Sequence, residues 1–335
     1  MKRLLVLAAT AAMVLTSCKT KTPEPQPEEK IVTGLLSEDT YWYADTVYEM
    51  AGKVVVGAGA TLNIEAGTTI LAREGQGSLS TALIVAQGGK LEAVGTAEAP
   101  IVFTSVYDNG TNLDETDQGL WGGIVVLGYA PISADAATAL IEGLPANEPF
   151  AVYGGNNIHD NSGVLKYVSI RHAGTLLGDG NELNGLTLGG VGSATVIDNI
   201  EVVGNLDDGI EFFGGTVNAS NLLVWAQGDD AFDIDQAYAG TISNFVNIEG
   251  SESDHALEID GPEGSYTDSF VMENGILISD DGVEVHIRDG AEGTVSFKGA
   301  ANIVADSGTA VTVTILDEIV TPDFTWTFTS AQGAL

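Results

Sequence analysis

Leu183-Asn184-Gly185-Leu186-Thr187-Leu188, Asp207-Asp208-Gly209-Ile210-Glu211-Phe212, Asp229-Asp230-Ala231-Phe232-Asp233-Ile234, Asp254-His255-Ala256-Leu257-Glu258-Ile259 and Asp280-Asp281-Gly282-Val283-Glu284-Val285 are five versions of one six-residue pattern. They begin 24, 22, 25 and 26 residues apart, so the chain carries an internal repeat. A period in the twenties, alternating apolar residues and no helical segment within a unit describe a solenoid of parallel strands. Each unit makes one coil and buries its apolar face only by stacking on its neighbours. The expected fold is all-β, a single-stranded right-handed parallel β-helix with N- and C-terminal caps.

Side chains alternate across a strand. Leu186/Leu188, Ile210/Phe212, Phe232/Ile234, Leu257/Ile259 and Val283/Val285 therefore point inward as stacked ladders. The positions between and after them, Thr187/Gly189, Glu211/Phe213, Asp233/Asp235, Glu258/Asp260 and Glu284/His286, are expected to face solvent. Coils pair at roughly 4.8 Å, so the acids among these residues form a carboxylate stripe on one outer face.

Outward from the repeat, short glycine-punctuated strands are expected at 53–56, 61–64, 68–71, 83–85, 90–93 and 101–103, then in Trp121–Gly128 and Leu165–Arg171. Tyr41-Trp42-Tyr43 falls in an expected N-terminal cap, 31–52. An Ala-rich piece with Pro145, Pro149, Tyr153 and His159-Asp160 interrupts the repeat, so 131–163 reads as an insertion leaning over one side, as a binding element or a packing flap. Residues 291–335 are the expected C-terminal cap, with strands at Val295–Phe297, Ala310–Ile315 and Phe324–Thr329. His172 reads as a turn residue. Trp225 is either an exposed platform for a sugar ring or a corner filler.

The first 17 residues combine Lys2 and Arg3 with a short apolar run that ends in small residues, which is the pattern of a cleaved signal peptide and too short to span a membrane. Leu15-Thr16-Ser17-Cys18 resembles a bacterial lipobox and implies cleavage before Cys18 and its acylation. Cys18 is the chain's one cysteine, so the exported protein would have no disulfide. Residues 18–30 are then the lipidated cysteine and a Pro- and charge-rich tether, and 31–335 the β-helix domain. Lys19, rather than Asp, after the cysteine implies the outer membrane, on its periplasmic or cell-surface side. Loss of Lys2 and Arg3 would take the formal charge from −35 to −37, which disfavours nucleic acid and anionic headgroups.

Leu91-Glu-Ala-Val-Gly-Thr, Pro100-Ile-Val-Phe-Thr-Ser, Trp121-Gly-Gly-Ile-Val-Val-Leu-Gly, Gly209-Ile-Glu-Phe-Phe-Gly-Gly and Gly228-Asp-Asp-Ala-Phe-Asp-Ile-Asp-Gln together resemble a family of bacterial outer-membrane and surface lipoproteins with a pectin-lyase-like β-helix. That resemblance implies fold and location. It implies no defined reaction.

Two chemistries compete for the acidic stripe. Asp229, Asp230, Asp233, Asp235, Asp254, Glu258 and Asp260 offer hard oxygen ligands from adjacent coils, the donor set Ca²⁺ prefers. The plainer alternative is that the Asp pairs cap turns and the other acids are solvated. For catalysis, Asp208, Asp229/Asp230, His255 and Arg288 fall on successive coils, similar to the polygalacturonase type of glycoside hydrolase. The resemblance implies one of the Asp pair as general acid, the other two aspartates as bases for water, His255 in support and Arg288 on substrate. The flanking residues depart from that pattern: Leu206-Asp207 precedes Asp208, Asp254 and Ala256 flank His255, and Asp289 follows Arg288. These features point to a lipid-anchored envelope protein acting as a binding or structural module, its partner a polysaccharide or an envelope protein, with a polysaccharide hydrolase or lyase as the alternative.

Overall fold

The computed structural model describes residues 28–335 apart from 76, 143, 145–147, 179, 180 and 281. The expected signal peptide, Cys18, most of the tether, Pro145 and Asp281 lie outside the described residues. The fold is an all-β, right-handed parallel β-helix with three faces.

Stacked in parallel on the first face are Ala82–Val85, Ile124–Leu127, Leu186–Gly189, Ile210–Phe213, Phe232–Asp235, Leu257–Ile259, Val283–Ile287 and Ala301–Ala305. The second and third faces share long strands, Gly163–Arg171, Val196–Val203, Asn218–Trp225, Thr241–Ile248 and Phe270–Ile278, each of which turns a corner midway. Below them, Thr61–Ile64 and Lys90–Val94 continue the second face, and Thr69–Ala72 and Ile101–Ser105 the third.

The inward ladders stack as the alternation requires. Leu186, Ile210, Phe232 and Leu257 are in register and buried, as are Leu188, Phe212, Ile234 and Ile259. The next step corrects the expected register: Leu257 pairs with Val285, Ile259 with Ile287 and Glu258 with His286. The shift is two residues, so inward positions stay inward while the outer acid Glu258 lies beside His286 instead of Glu284.

Corners explain why the long strands bend without breaking. Tyr167, Asn199, Asn221, Asn244 and Asn274 hold φ of 51°, 57°, 55°, 58° and 61°. Asparagine tolerates this left-handed region better than other residues with a side chain. Here it also gains partners, because equivalent corners stack. Asn221 Nδ2 donates to Asp198 Oδ1 at 2.7 Å, Asn244 Nδ2 donates to Asn221 Oδ1 at 3.1 Å, and Asn274 Nδ2 donates to Asn244 Oδ1.

Strands run into both segments expected as caps. Residues Glu28–Leu36 and Thr46–Val56 already pair in parallel, so the segment 31–52 builds a first coil, with Trp42 buried and stacked on Tyr48 at 4.9 Å. At the other end, Glu292–Lys298, Ala301–Ala305 and Ala310–Ile315 continue the coils. Phe324–Thr329 is not a strand. It leads into a short helix, Phe328–Gln332, which Thr327 caps by accepting from Ser330 N at 3.1 Å. That helix lies back along the third face, where Phe324 and Phe328 pack against Trp225, Val246 and Ile248. Glu201, buried on that face, accepts from Thr329 N and Thr329 Oγ1 at 2.8 Å each. Trp225 is therefore a corner filler, 8% exposed. His172 is a turn residue, with φ 61° and Nδ1 2.8 Å from the Asp117 carbonyl oxygen.

The asparagine corner yields a testable magnitude. Asn244→Val loses two side-chain hydrogen bonds and forces a β-branched residue into the left-handed region, an expected cost of about 3 kcal/mol. Asn244→Gly loses the same bonds without that strain and should cost about half as much. Equal losses in thermal denaturation of the two variants would remove backbone strain from the account.

Candidate functional site

The insertion decides which part of the first face remains open. Its two short strands, Ala139–Leu140 and Val152–Tyr153, form an antiparallel pair. Ile132, Ile141, Leu144, Ala151 and Tyr153 pack on Val55, Ile84, Val125, Leu127 and Phe213. Each large apolar side chain so buried contributes about 1.5–3 kcal/mol. The early coils present apolar outer residues and receive this cover; the later coils carry the acids.

The expectation that those acids face solvent is corrected here. Glu211 is 4% exposed and Asp233 8%. They sit side by side in register, with Thr187 below and Glu258 above. Asn184, itself buried, donates to Glu211 Oε2. Glu142 of the insertion, with Asp207, Asp208, Asp229, Asp230 and Glu258, completes a polar cleft of about 320 Å³ around them. Glu142 brings the insertion to the border of the stripe.

The Asp-rich turns use their carboxylates in a stacked pattern. Asp208 Oδ1 accepts from Asp230 N at 3.0 Å, and one coil on, Asp230 Oδ1 accepts from His255 N at 3.0 Å. His255 Nδ1 lies 2.7 Å from the same Asp230 oxygen, and its Nε2 lies 3.5 Å from Glu284 Oε1. Arg288 is not part of this group. Its Nε bonds Glu258 Oε1 at 2.7 Å and lies 3.2 Å from Asp260 Oδ1.

Three-dimensional grouping differs from the ligand set read along the chain. Ligand atoms of Asp208, Glu211 and Asp233 lie within 4.8 Å of one another, as do those of Asp207, Asp208 and Asp229, and those of Asp230, His255 and Glu258. Asp235, Asp254 and Asp260 join none of these groups: Asp235 accepts from Gln236 N, and Asp254 is exposed. Asp207, Asp208, Glu211 and His255 are the additions. Glu211 was legible as Asp233's neighbour in the ladder, whereas Asp207 and Asp208 required the turn geometry.

Electrostatics follow from crowding. Burial, reinforced by the neighbouring acids, raises the carboxyl pKa of Asp208, Glu211 and Asp233 well above the ordinary carboxylate range. Burial also pushes Asp230 up to about 10 and Asp235 up to about 7. These groups hold protons more tightly folded than unfolded.

A second concavity was not anticipated. A groove of about 710 Å³ runs between the first coils and the insertion, lined in part by Leu35, Val55, Tyr129 and Phe150, with Lys53 and Glu148 at its edge. Its residues come from segments far apart in the chain, so no local motif marks it.

A pH dependence follows with a definite sign. A carboxyl whose folded pKa is raised contributes stability that is fully present below its unfolded pKa of about 4 and is lost as pH rises through the folded value. In chelator, the melting temperature should therefore climb as pH falls from 8 to 5. Asp235→Asn should flatten the part of that climb between about 4 and 7. A melting temperature that falls over this range in wild type would contradict the raised values.

Comparison with known proteins agrees with this architecture. A profile of the pectate-lyase-like β-helix domain matches residues 34–314. No curated protein and no solved structure gives a match. With most of its length covered by that profile and its strands stacked in parallel coils, the chain belongs to the pectate-lyase-like β-helix family.

Proposed function

We propose that this protein is a lipid-anchored outer-membrane β-helix that binds a polysaccharide without cleaving it. The observation that carries this reading is the use of the candidate catalytic carboxylates as turn caps: Asp208 holds the Asp230 amide, and Asp230 holds both the amide and the ring of His255. Groups committed to stacking coils are poorly placed to activate water. The groove edged by Tyr129, Phe150, Lys53 and Glu148 suits a neutral glycan, whose ring faces stack on aromatics and whose hydroxyls bond polar groups. The acidic cleft would repel an anionic one. Anchoring rests on Cys18 and its lipobox-like context.

One observation favours the enzyme reading, in which the same face hydrolyses or eliminates a polysaccharide. Burial pushes the Asp230 carboxyl up to about 10, and its Oδ1 lies 2.7 Å from His255 Nδ1. A general acid needs a proton at neutral pH.

Incubation with pectic, alginate and neutral plant or algal polysaccharides should release no reducing ends and no unsaturated products, while affinity electrophoresis shows retardation by a neutral polymer that Phe150→Ala relieves. Asp230→Asn should alter stability more than retardation. Turnover that disappears in both Asp230→Asn and His255→Ala, with folding intact, would promote the enzyme. No retardation by any polymer would leave an envelope protein as the partner.

Anchoring has its own test. Cys18→Ser should move the protein to soluble fractions and abolish palmitate labelling; labelling that persists in this variant would overturn acylation at Cys18.

A further inference from the structure

We propose that His255, Glu284 and His286 form a zinc site that clasps two successive coils toward the C-terminal end of the first face. One ligand atom from each residue lies within 4.8 Å of the other two. Val283, Val285 and Ile287 point into the core, so Glu284 and His286 project together from the outer side of one strand. The two-residue shift in pairing brings His255 to them: Leu257 lies on Val285, and Ala256 N donates to the Glu284 carbonyl oxygen at 2.9 Å. Stacked without that shift, Glu284 would lie beside Glu258, acid on acid.

The distances are those of ligands around one small ion. His255 Nε2 and Glu284 Oε1 are 3.5 Å apart, beyond the roughly 2.7–3.2 Å of an N–H···O hydrogen bond. Two donors on a tetrahedral zinc ion, each at about 2.0–2.2 Å from it, are about 3.4 Å apart. The ring centres of His255 and His286 are separated by 5.3 Å, and two imidazoles sharing such an ion have theirs about 5 Å apart.

The independent observation is that hydrogen bonds already aim both ligand atoms at the gap. Asp230 Oδ1 accepts from the His255 amide at 3.0 Å, so the ring nitrogen Nδ1, 2.7 Å from the same oxygen, carries the ring proton. The other ring nitrogen, Nε2, keeps its lone pair and faces Glu284. Asn302 Nδ2 donates to Glu284 Oε2 at 2.9 Å, which leaves Oε1 facing His255. Two acceptors facing each other at this distance repel unless a cation lies between them. Metal-bound imidazoles and carboxylates are held in this way, each by a hydrogen bond through its other polar atom.

Donor chemistry selects the ion. Two imidazoles and one carboxylate suit zinc, whereas calcium and magnesium take oxygen ligands. Glu258, 3.9 Å from His286, is already paired with Arg288, so Glu284 is the carboxylate left to the histidines. The side chains of His255, His286 and Glu284 are 12%, 21% and 36% exposed, so an ion can reach them and a water can fill its fourth position. The site does not depend on glycan binding.

The test uses the full chain, purified in detergent without a histidine tag and freed of metal with EDTA. Calorimetric titration should show one zinc ion per chain that millimolar calcium or magnesium does not displace. Cobalt in its place should give the intense visible bands of a four-coordinate ion. Zinc should also raise the melting temperature above its value in EDTA, because it binds the folded chain more tightly. His286→Ala and Glu284→Gln should abolish the cobalt bands and the thermal response. Asn302→Ala, which releases the Glu284 carboxylate, should weaken zinc binding about 10–100-fold. Zinc that calcium displaces, or that His286→Ala binds as well as wild type, would overturn the site and leave zinc scattered over the acidic surface. Should His286→Ala fail to fold, undiminished binding by Glu284→Gln would overturn it instead. So would the absence of binding heat and of cobalt bands in wild type.

Discussion

Parallel pairing between successive coils, in which each residue lies directly on its equivalent in the next turn, is the constraint on which this structure depends. The roughly 4.8 Å spacing leaves no freedom to place unlike groups together unless the sequence changes from coil to coil. For apolar residues the constraint is favourable throughout. Leu188, Phe212, Ile234 and Ile259 form a continuous buried column because each excludes water from the next. Asparagine benefits too, since its amide is both donor and acceptor and can pass a hydrogen bond from corner to corner. The stack from Asp198 through Asn221 and Asn244 to Asn274 turns a costly backbone conformation into a repeated structural element.

Carboxylates obey the same geometry with the opposite sign. Glu211, Asp233 and Glu258 are neighbours in one ladder, and burial of Glu211 and Asp233 removes the water that would screen them. The chain answers locally where it can. Backbone amides of the next coil meet Asp208 and Asp230, and Arg288 meets Glu258. Asp233 lies between these solutions and receives neither.

The repeat was legible because alternation and a period in the twenties report directly on side-chain direction. Strand bounds such as Thr61–Ile64 follow from the same signal. What was illegible depends on contacts between distant segments. The two-residue shift that sets Glu258 against His286 preserves the alternation, so periodicity could not detect it. Phe324–Thr329 has the β-branched and aromatic composition of a strand, yet it leads into a short helix and packs on Trp225. Glu211 and Asp233, read as solvated, are buried in a cleft that Glu142, far away in the chain, helps to line. The asparagine corners recur at intervals of 22, 23 and 30 residues from Asn199 to Asn274, but asparagine serves many kinds of turn, so the spacing alone does not mark a stacked corner.

The insertion links these points. Over the early coils it meets Val55, Ile84 and Val125 and is held by the hydrophobic effect. Beyond Phe213 the outer ladder turns acidic, and the same mechanism would have to bury charge. A flap that must end where apolar positions end leaves an acidic opening at its margin, here bordered by Glu142, and an apolar groove on its other side, bordered by Phe150. Both concavities thus follow from one change of outer residue type along a single ladder. A solenoid can create a binding margin in this way without altering its backbone, which is why the fold leaves the chemistry of the site to the side chains on its outer face.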